Sequence, residues 1–429
     1  MHPNPTPAYP NASFDAIAAG LRRDAGRWAV TVGGLLMRSG FQPIYSLSHG
    51  RVVGHEALLR AEDGAGRPVA PPLALRGDGS FADLLRGDRA ARLIHGLNFA
   101  EMTGPAHWLF CNIQPQVFVA LPRLARDGFQ RTLQARCGLQ GHQVVLEVLE
   151  EAVPEDADSD GGLDIARRAG CLIAIDDFGA GHSNFDRVWR LQPEIVKLDR
   201  RLVRRAALEP QARGVVAQMV SLLHQCGALV LMEGIETEDE AFVALEADAD
   251  LVQGDLFGRP APALVAQGDA PAALQRLWAS YEQRRADEQQ GYRAHIRPYI
   301  NAIGYASALL ADGQTLAEAT AAFLQLPRAE VCYLLDDAGR QIGDNAWAPQ
   351  RRYVEPPAFA PMRETEGAHW GRRPYFRRAA ESVGKVQVTR PYRTVHGGHL
   401  CVTVSVAFRT GAAGLRVVCG DIGWSAAAT

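Results

Sequence analysis

From about Phe41 onward, short apolar runs alternate with longer stretches of mixed polarity, the pattern of strand and helix in a parallel α/β domain. The strand candidates are FQPIYS (41–46), VVGHEALLR (52–60), WLFCNI (108–113), VVLEVLEE (144–151), CLIAIDDF (171–178), EIVKLD (194–199), ALVLMEG (228–234) and ADLVQG (249–254). Eight such blocks within about 220 residues predict a (β/α)8-type barrel. Past residue 262 the pattern changes. Residues 270–290 read as a helix with apolar positions at Leu274, Leu277 and Tyr281, and a second helical stretch runs to about Leu310, with Pro298 as its kink or break. EVCYLLDDAGRQIGD (330–344) predicts strand, turn, strand, and residues 386–408 predict a hairpin turning at Gly397-Gly398. The expected organisation is a loose N-terminal segment over 1–24 with a short helix near 15–23, a barrel over 25–265, a helical connector over 266–312, and a small α+β domain over 313–429.

Composition narrows the class. The chain has 429 residues, 47% hydrophobic and 22% charged, enough to fill more than one core and too apolar for general disorder. A net charge of -3 argues against nucleic acid as the partner, so an anionic ligand needs a local device to hold it. The seven cysteines are odd in number and never spaced as C-x-x-C, which suits reduced core residues in the cytoplasm. No basic leader with an apolar run opens the chain and no stretch has the apolar length of a membrane span, so an intracellular protein is expected.

In nearly every strand block a polar or ionisable residue stands near the C-terminal end: Glu56, Asn112, Glu147 with Glu150, Asp176 with Asp177, Lys197 with Asp199, Glu233 with Glu236, and Gln253. Burying an unpaired carboxylate costs several kcal/mol. In a barrel these ends converge on one face, where a single cluster accounts for all of them. Glu56, Asn112, Glu147, Asp176, Asp177 and Glu233 gathered at one mouth would repel one another unless a cation intervened, and all-oxygen ligands favour Mg2+, Mn2+ or Ca2+ over zinc. The adjacent Asp176-Asp177 pair suits a carboxylate shared by two ions, an arrangement used to cleave phosphate esters by in-line attack of activated water. Lys197 would stand beside the attacking water or the developing phosphorane charge.

Taken in order, QPIY (42–45), EALLR (56–60), NIQP (112–115), ExxE (147–150), DDFGxG (176–181), KLD (197–199), EGIE (233–236) and QGxLF (253–257) resemble the EAL family of cyclic di-GMP phosphodiesterases over about residues 25–262. The resemblance implies a modified TIM-like barrel whose first strand runs antiparallel. It also implies hydrolysis of cyclic di-GMP to linear pGpG with Mg2+ or Mn2+, Ca2+ being an inhibitory occupant. By position, Glu56, Asn112, Glu147 and Asp176 are then ligands of one metal, and Asp176, Asp177 and Glu233 of a second. Lys197 corresponds to the lysine that helps activate water, and Gln42 and Arg60 to substrate contacts, the planar fork of Arg60 suiting a phosphate oxygen. Glu150 matches the acid that holds the loop after Asp177, and Asp199, Glu236 and Gln253 are supporting polar residues at the substrate. The chain departs from the family at Ala180, His182, Met232 and Asp255, none of them a metal ligand.

Other readings compete. DFG at 177–179 lacks the partner motifs of a kinase, and the glycines at 179 and 181 follow two aspartates that would repel a dinucleotide pyrophosphate. His396 and His399 across a hairpin turn, and the arginine pairs at 351–352, 372–373 and 377–378, read as solvated surface. A receptor that binds cyclic di-GMP without useful turnover is the rival function. In the last domain, Trp370, Arg373, Tyr375, Tyr392 and Asp421 resemble pocket positions of Cache and PAS-like sensor domains, which implies a small intracellular ligand, an amine caged by the aromatics and paired with Asp421. The apolar stripe of the connector suggests a homodimer.

Overall fold

The computed structural model describes residues 9–102, 107–124, 128–149, 157–181, 185–265, 271–349, 364–393, 400–411 and 414–424. By its contacts the chain divides into two compact units, Met1–Tyr281 and Glu282–Thr429.

In the first unit, β1 (Leu35–Ser46), β2 (Arg51–Glu62), β3 (Trp108–Asn112), β4 (Val144–Leu149), β5 (Leu172–Phe178), β6 (Ile195–Leu198), β7 (Leu229–Met232) and β8 (Leu251–Val252) form a closed ring. Successive strands from β2 to β8 pair in parallel, and β1 closes the barrel antiparallel to both β8 and β2. This is the barrel the apolar blocks predict, with the antiparallel first strand that the family resemblance implies.

Period-two alternation explains how the ring aims its side chains. Ile44, Phe110, Val145, Ala174, Ile195, Leu231 and Leu251 form one buried cluster. Residues two apart on a strand share a face. On the parallel strands the next residue on that face, toward the C-terminal end, is Asn112, Glu147, Asp176, Lys197, Glu233 or Gln253. On the reversed β1 the equivalent step runs backward, from Ile44 to Gln42. A second, larger core packs the outside of the strands against helices, including α1 (Phe81–Met102) and α2 (Pro115–Leu124).

From residue 9 the N-terminal stretch is packed where composition suggested loose chain. Ala12 and Ile17 are buried in the outer core, and Ser13 caps a helix that ends at Ala18. The helix expected to reach residue 23 gives way to a strand, Leu21–Asp24, paired with Arg27–Val32. Ala25 and Gly26 both take positive φ, the two-residue turn that joins right-twisted hairpin strands.

A single helix, α3 (Ala272–Ala311), replaces the two expected stretches. Its residues Leu274 and Leu277 join the barrel unit's outer core, and Ile296, Tyr299, Ile303, Ala306 and Leu310 join the core of the second unit. Pro298 lies inside the helix and does not end it; both Pro298 and Ala294, whose carbonyl loses its partner, are exposed to water.

The second unit is an antiparallel sheet of β9 (Ala329–Leu335), β10 (Gln341–Trp347), β11 (Gln387–Val388), β12 (Tyr392–Arg393), β13 (Leu400–Thr410) and β14 (Gly414–Gly423), ordered β10-β9-β14-β13-β11 with β12 also on β13. The strand-turn-strand of 330–344 is present, and the β12–β13 pairing fits the expected hairpin; its Gly397-Gly398 turn, His396 and His399 lie outside the described residues, as do Arg351 and Arg352. Alternation again divides the faces. Cys332 and Leu334 meet the α3 side, whereas Val331, Tyr333 and Leu335 meet Tyr375, Phe376 and Ala379 of α4 (Pro374–Glu381).

Candidate active site

The strand ends bring the acid series together around one ammonium group. Lys197 is 1% exposed, and its Nζ lies 2.7 Å from Glu147 Oε1, 3.0 Å from Asp176 Oδ1, 3.1 Å from Glu233 Oε2 and 3.6 Å from Glu56 Oε2. Glu147 Oε1 and Asp176 Oδ1 are buried, and both face the Lys197 ammonium. Asn112 donates Nδ2 to Glu56 Oε1 at 3.1 Å and to Glu147 Oε2 at 3.0 Å, which leaves its Oδ1 as the side-chain acceptor. Gln253, 2% exposed, donates Nε2 to Glu56 Oε2 at 2.7 Å and Gln42 Oε1 at 3.2 Å. Gln42 in turn donates to the Gly258 carbonyl at 3.2 Å.

Adjacent strand residues ordinarily face opposite ways, yet Asp176 and Asp177 reach the same place. Asp177 sits in the left-handed region at φ 57°, and the pairing of β5 with β6 shifts register between Ile175 and Phe178. Carboxylate oxygens of Asp176, Asp177 and Glu233 consequently lie within 4.8 Å of one another. The strain is local and serves convergence. Gly254 answers to close packing instead. A Cβ there would lie 2.1 Å from the Ile235 carbonyl, so only glycine lets the segment after β8 touch the loop after Glu233.

One cation amid so many acids sets the proton affinities. Burial, and then the charge of Glu56, pushes the Glu147 carboxyl well above the usual range. Burial lifts Glu233 to about 7 despite Lys197, and burial and Asp176 lift Asp177. Burial alone would lower the Lys197 ammonium, but Asp176, Glu147, Glu233 and Glu56 outweigh it and hold the pKa well above normal. The gathering of four carboxylates about a single ammonium, the convergence of Asp176, Asp177 and Glu233 oxygens, and an all-oxygen donor set fit hard divalent cations.

Not every expected residue joins the cluster. Asp199 caps the helix Arg200–Leu208 by accepting from Arg201 N at 2.9 Å, and its charge reaches Asp177. Glu236 is exposed and stands 3.8 Å from Arg200. Arg60 is at the mouth, donating to its neighbour's carbonyl at Leu59, and lines a cleft of about 810 Å3 with Glu56, Asn112, Pro71, Leu75 and Leu149. Glu150, His182 and Asn184 lie outside the described residues. Of the departures from the family, Met232 is fully buried core and Asp255 pairs with Arg259 at 3.1 Å.

In the second unit, Asp421 is 2% exposed and accepts from Thr403 Oγ1 at 2.7 Å; the Tyr392 hydroxyl lies 2.6 Å from the same Thr403 oxygen. Tyr375 stacks on Tyr392 with centroids 6.4 Å apart. Tyr333 and Thr403, absent from the expected set, complete this network; their place on the same sheet face as Asp421 follows from register, which a linear sequence hides. Trp370 donates to Gln341 Oε1 at 3.0 Å, and Arg373 is the residue before α4.

Comparison with known proteins adds an independent line. A family model described as "EAL domain" matches residues 34–260, more than half of the chain. An uncharacterized protein of Azorhizobium caulinodans is 33% identical over 244 residues, covering 54% of this chain and 32% of that protein. The cyclic di-GMP phosphodiesterase RocR of Pseudomonas aeruginosa is 35% identical over 96 residues, covering 22% of this chain and 24% of RocR. The chain thus spans about a third of the first relative's length and about a quarter of the second's. The Bacillus subtilis YkuI protein, solved with an EAL domain in complex with substrate c-di-GMP and calcium, superposes with a TM-score of 0.77 over 91% of this chain and 96% of its own. At 18% identity that likeness is one of fold.

Proposed function

Because the chain belongs to the EAL domain family, we propose that its barrel hydrolyses cyclic di-GMP to linear pGpG with the aid of two divalent cations, Mg2+ or Mn2+. The observation that carries this reading is the ring of Glu56, Glu147, Asp176 and Glu233 about Lys197, with the Asn112 amide and Asp177 at its edge. Glu56, Asn112, Glu147 and Asp176 would hold one cation, and Asp176, Asp177 and Glu233 the other. When bound, the cations would supply charge to neutralise the phosphate and to acidify water. Ca2+ fits the same oxygens and would occupy them without supporting turnover.

The chain's own residues do the rest. Arg60, on the wall of the cleft, offers its guanidinium to a phosphate oxygen. Gln253 holds the Glu56 carboxylate and the Gln42 amide in one orientation. Lys197 stays protonated, so it orients water and stabilises charge growing on phosphate rather than removing a proton. Hydrolysis forms one new P–O bond from water and releases the 3′ oxygen, which takes up a proton.

Incubation with cyclic di-GMP and Mg2+ or Mn2+, with pGpG followed by chromatography and Glu56→Ala as control, tests the reading. Product from the parent alone supports it. Tight binding without product would make the protein a receptor, and neither binding nor product would overturn the assignment.

The substrate is an intracellular messenger, which puts the barrel in the cytoplasm; among the described residues no helix is long and apolar enough to cross a membrane. The second unit is read as a Cache/PAS-like sensor, with Tyr375, Tyr392, Trp370, Arg373 and Asp421 about a small amine-bearing ligand. Exposed Trp189, Leu208 and Val215 on successive barrel helices support a homodimer. A sedimentation run showing only monomer at micromolar concentration would exclude it.

A further inference from the structure

Asn112 can serve as a ligand only if the segment that follows it is held still. It is the last residue of β3, and its side chain sits at the exposed rim rather than in the core. What anchors the next residues is a side chain from a different element. Asp88, in the middle of α1 and 3% exposed, accepts the Gln114 backbone N–H on Oδ1 at 2.9 Å. Its other oxygen, Oδ2, accepts from Arg92 Nε at 3.0 Å and Nη2 at 2.7 Å. Arg92, 4% exposed, gives Nη1 to Gln130 Oε1 at 2.9 Å.

Both Asp88 oxygens are therefore committed, one to a charge and one to a main-chain amide two residues past Asn112. The Gln114 carbonyl also accepts from Val117 N and Phe118 N, each at 2.9 Å, and so opens α2. The 112–116 segment is thus pinned at Gln114 on its donor side by Asp88 and on its acceptor side by the first turn of α2. The same segment contributes Asn112, Gln114, Pro115 and Gln116 to the wall of the cleft, where Asp88 also appears.

We propose that Asp88, by accepting the Gln114 N–H, is a positioning residue that sets the Asn112 amide at the first cation site. Asp88 touches neither substrate nor cation in this scheme; it acts through the Gln114 amide. Two buried charges within a helix are costly, and here each is paired with the other and with a further polar group. Partners that orient a ligand typically alter cation affinity by about 10- to 100-fold when removed. The inference rests on the two-cation reading above and deepens it, because it separates the sites: Asn112 belongs to one alone, and Asp177 and Glu233 to the other alone.

The test is Mn2+ binding to the whole chain, followed by loss of the free-ion EPR signal during titration, with no substrate present. The parent is expected to show two classes of site. Asp88→Ala combined with Arg92→Met removes the carboxylate without leaving a buried unpaired cation. It should weaken one class about tenfold or more and leave the second within about threefold, as should Asn112→Ala. Asp88→Asn with Arg92→Met keeps an acceptor for Gln114 and should restore the weakened class. Equal affinities in the Ala and Asn double variants, or equal weakening of both classes, would overturn the proposal. If the Ala double variant does not fold, the Asn double variant decides, since a tenfold loss there would show that the acceptor alone does not set Asn112. A parent that binds no Mn2+ at all would instead overturn the cation reading itself.

Discussion

Lys197→Met removes the one positive charge from the centre of the acid cluster at nearly constant volume. Four carboxylate oxygens lie 2.7 to 3.6 Å from its Nζ, and the side chain is 1% exposed. Removing one partner of a buried ionic group typically costs about 3–5 kcal/mol. In the cation-free protein at pH 8 we expect that order of loss in the barrel's unfolding free energy. The variant can lessen it by taking up a proton. Glu147 and Glu233 already have proton affinities raised above their unfolded values, so they stabilise the native state at low pH and lose that contribution as pH rises through the folded pKa, which for Glu233 is about 7. Loss of Lys197 raises them further. If the native variant holds one more proton than the native parent between pH 8 and 6, the difference between them shrinks by about 1.4 kcal/mol per pH unit, or about 2.7 kcal/mol in all. Urea unfolding of parent and variant at pH 8 and pH 6, with and without Ca2+, measures this, and Ca2+ should stabilise the variant at least as much as the parent. A loss independent of pH, or a variant that Ca2+ leaves unmoved while it stabilises the parent, would refute the charge balance argued here. The same substitution should reduce hydrolysis of cyclic di-GMP by about 10²-fold or more.

Three further outcomes are expected. Mn2+ affinity should rise with pH between about 6 and 7, by up to tenfold per unit for one released proton, because Glu233 must lose a proton that it holds up to about 7; a calorimetric series at constant ionic strength that is flat over this range would contradict it. Asp177→Asn keeps a side chain that tolerates φ 57° but removes a carboxylate, so the melting temperature without cations should hold or rise while turnover drops by about 10²-fold or more, as a paired melting and product assay would reveal. Gly254→Ala places a methyl 2.1 Å from the Ile235 carbonyl and should destabilise the barrel by about 1–3 kcal/mol, visible as a lowered urea midpoint with unchanged slope.

The linear chain is informative where chemistry and periodicity coincide. Apolar blocks ending in Glu56, Asn112, Glu147, Asp176, Lys197, Glu233 and Gln253 predict a barrel with a polar mouth, and the structure places all of them there. The reason is geometric: side chains two apart share a face, so each strand carries its own aiming rule. Residues 9–24 mislead because burial by distant elements is not a local property, and at Pro298 the chain order leaves kink or break open where the helix runs on.

Tertiary structure alone decides three matters. It inverts neighbouring Asp176 and Asp177 onto one face through a left-handed residue, which no residue count reveals. It brings Asp88 of α1 to the amide beyond Asn112, a pairing of a buried helix carboxylate with a backbone N–H 26 positions away. It also joins Asp421, Thr403 and Tyr392 through sheet register. The chain by itself determined which groups are available and on which strand ends they stand, since composition and period are written residue by residue. Distances, shared burial and the balance of Lys197 against its acids exist only once the ring closes, because coulombic and desolvation energies depend on separations that the chain order does not contain.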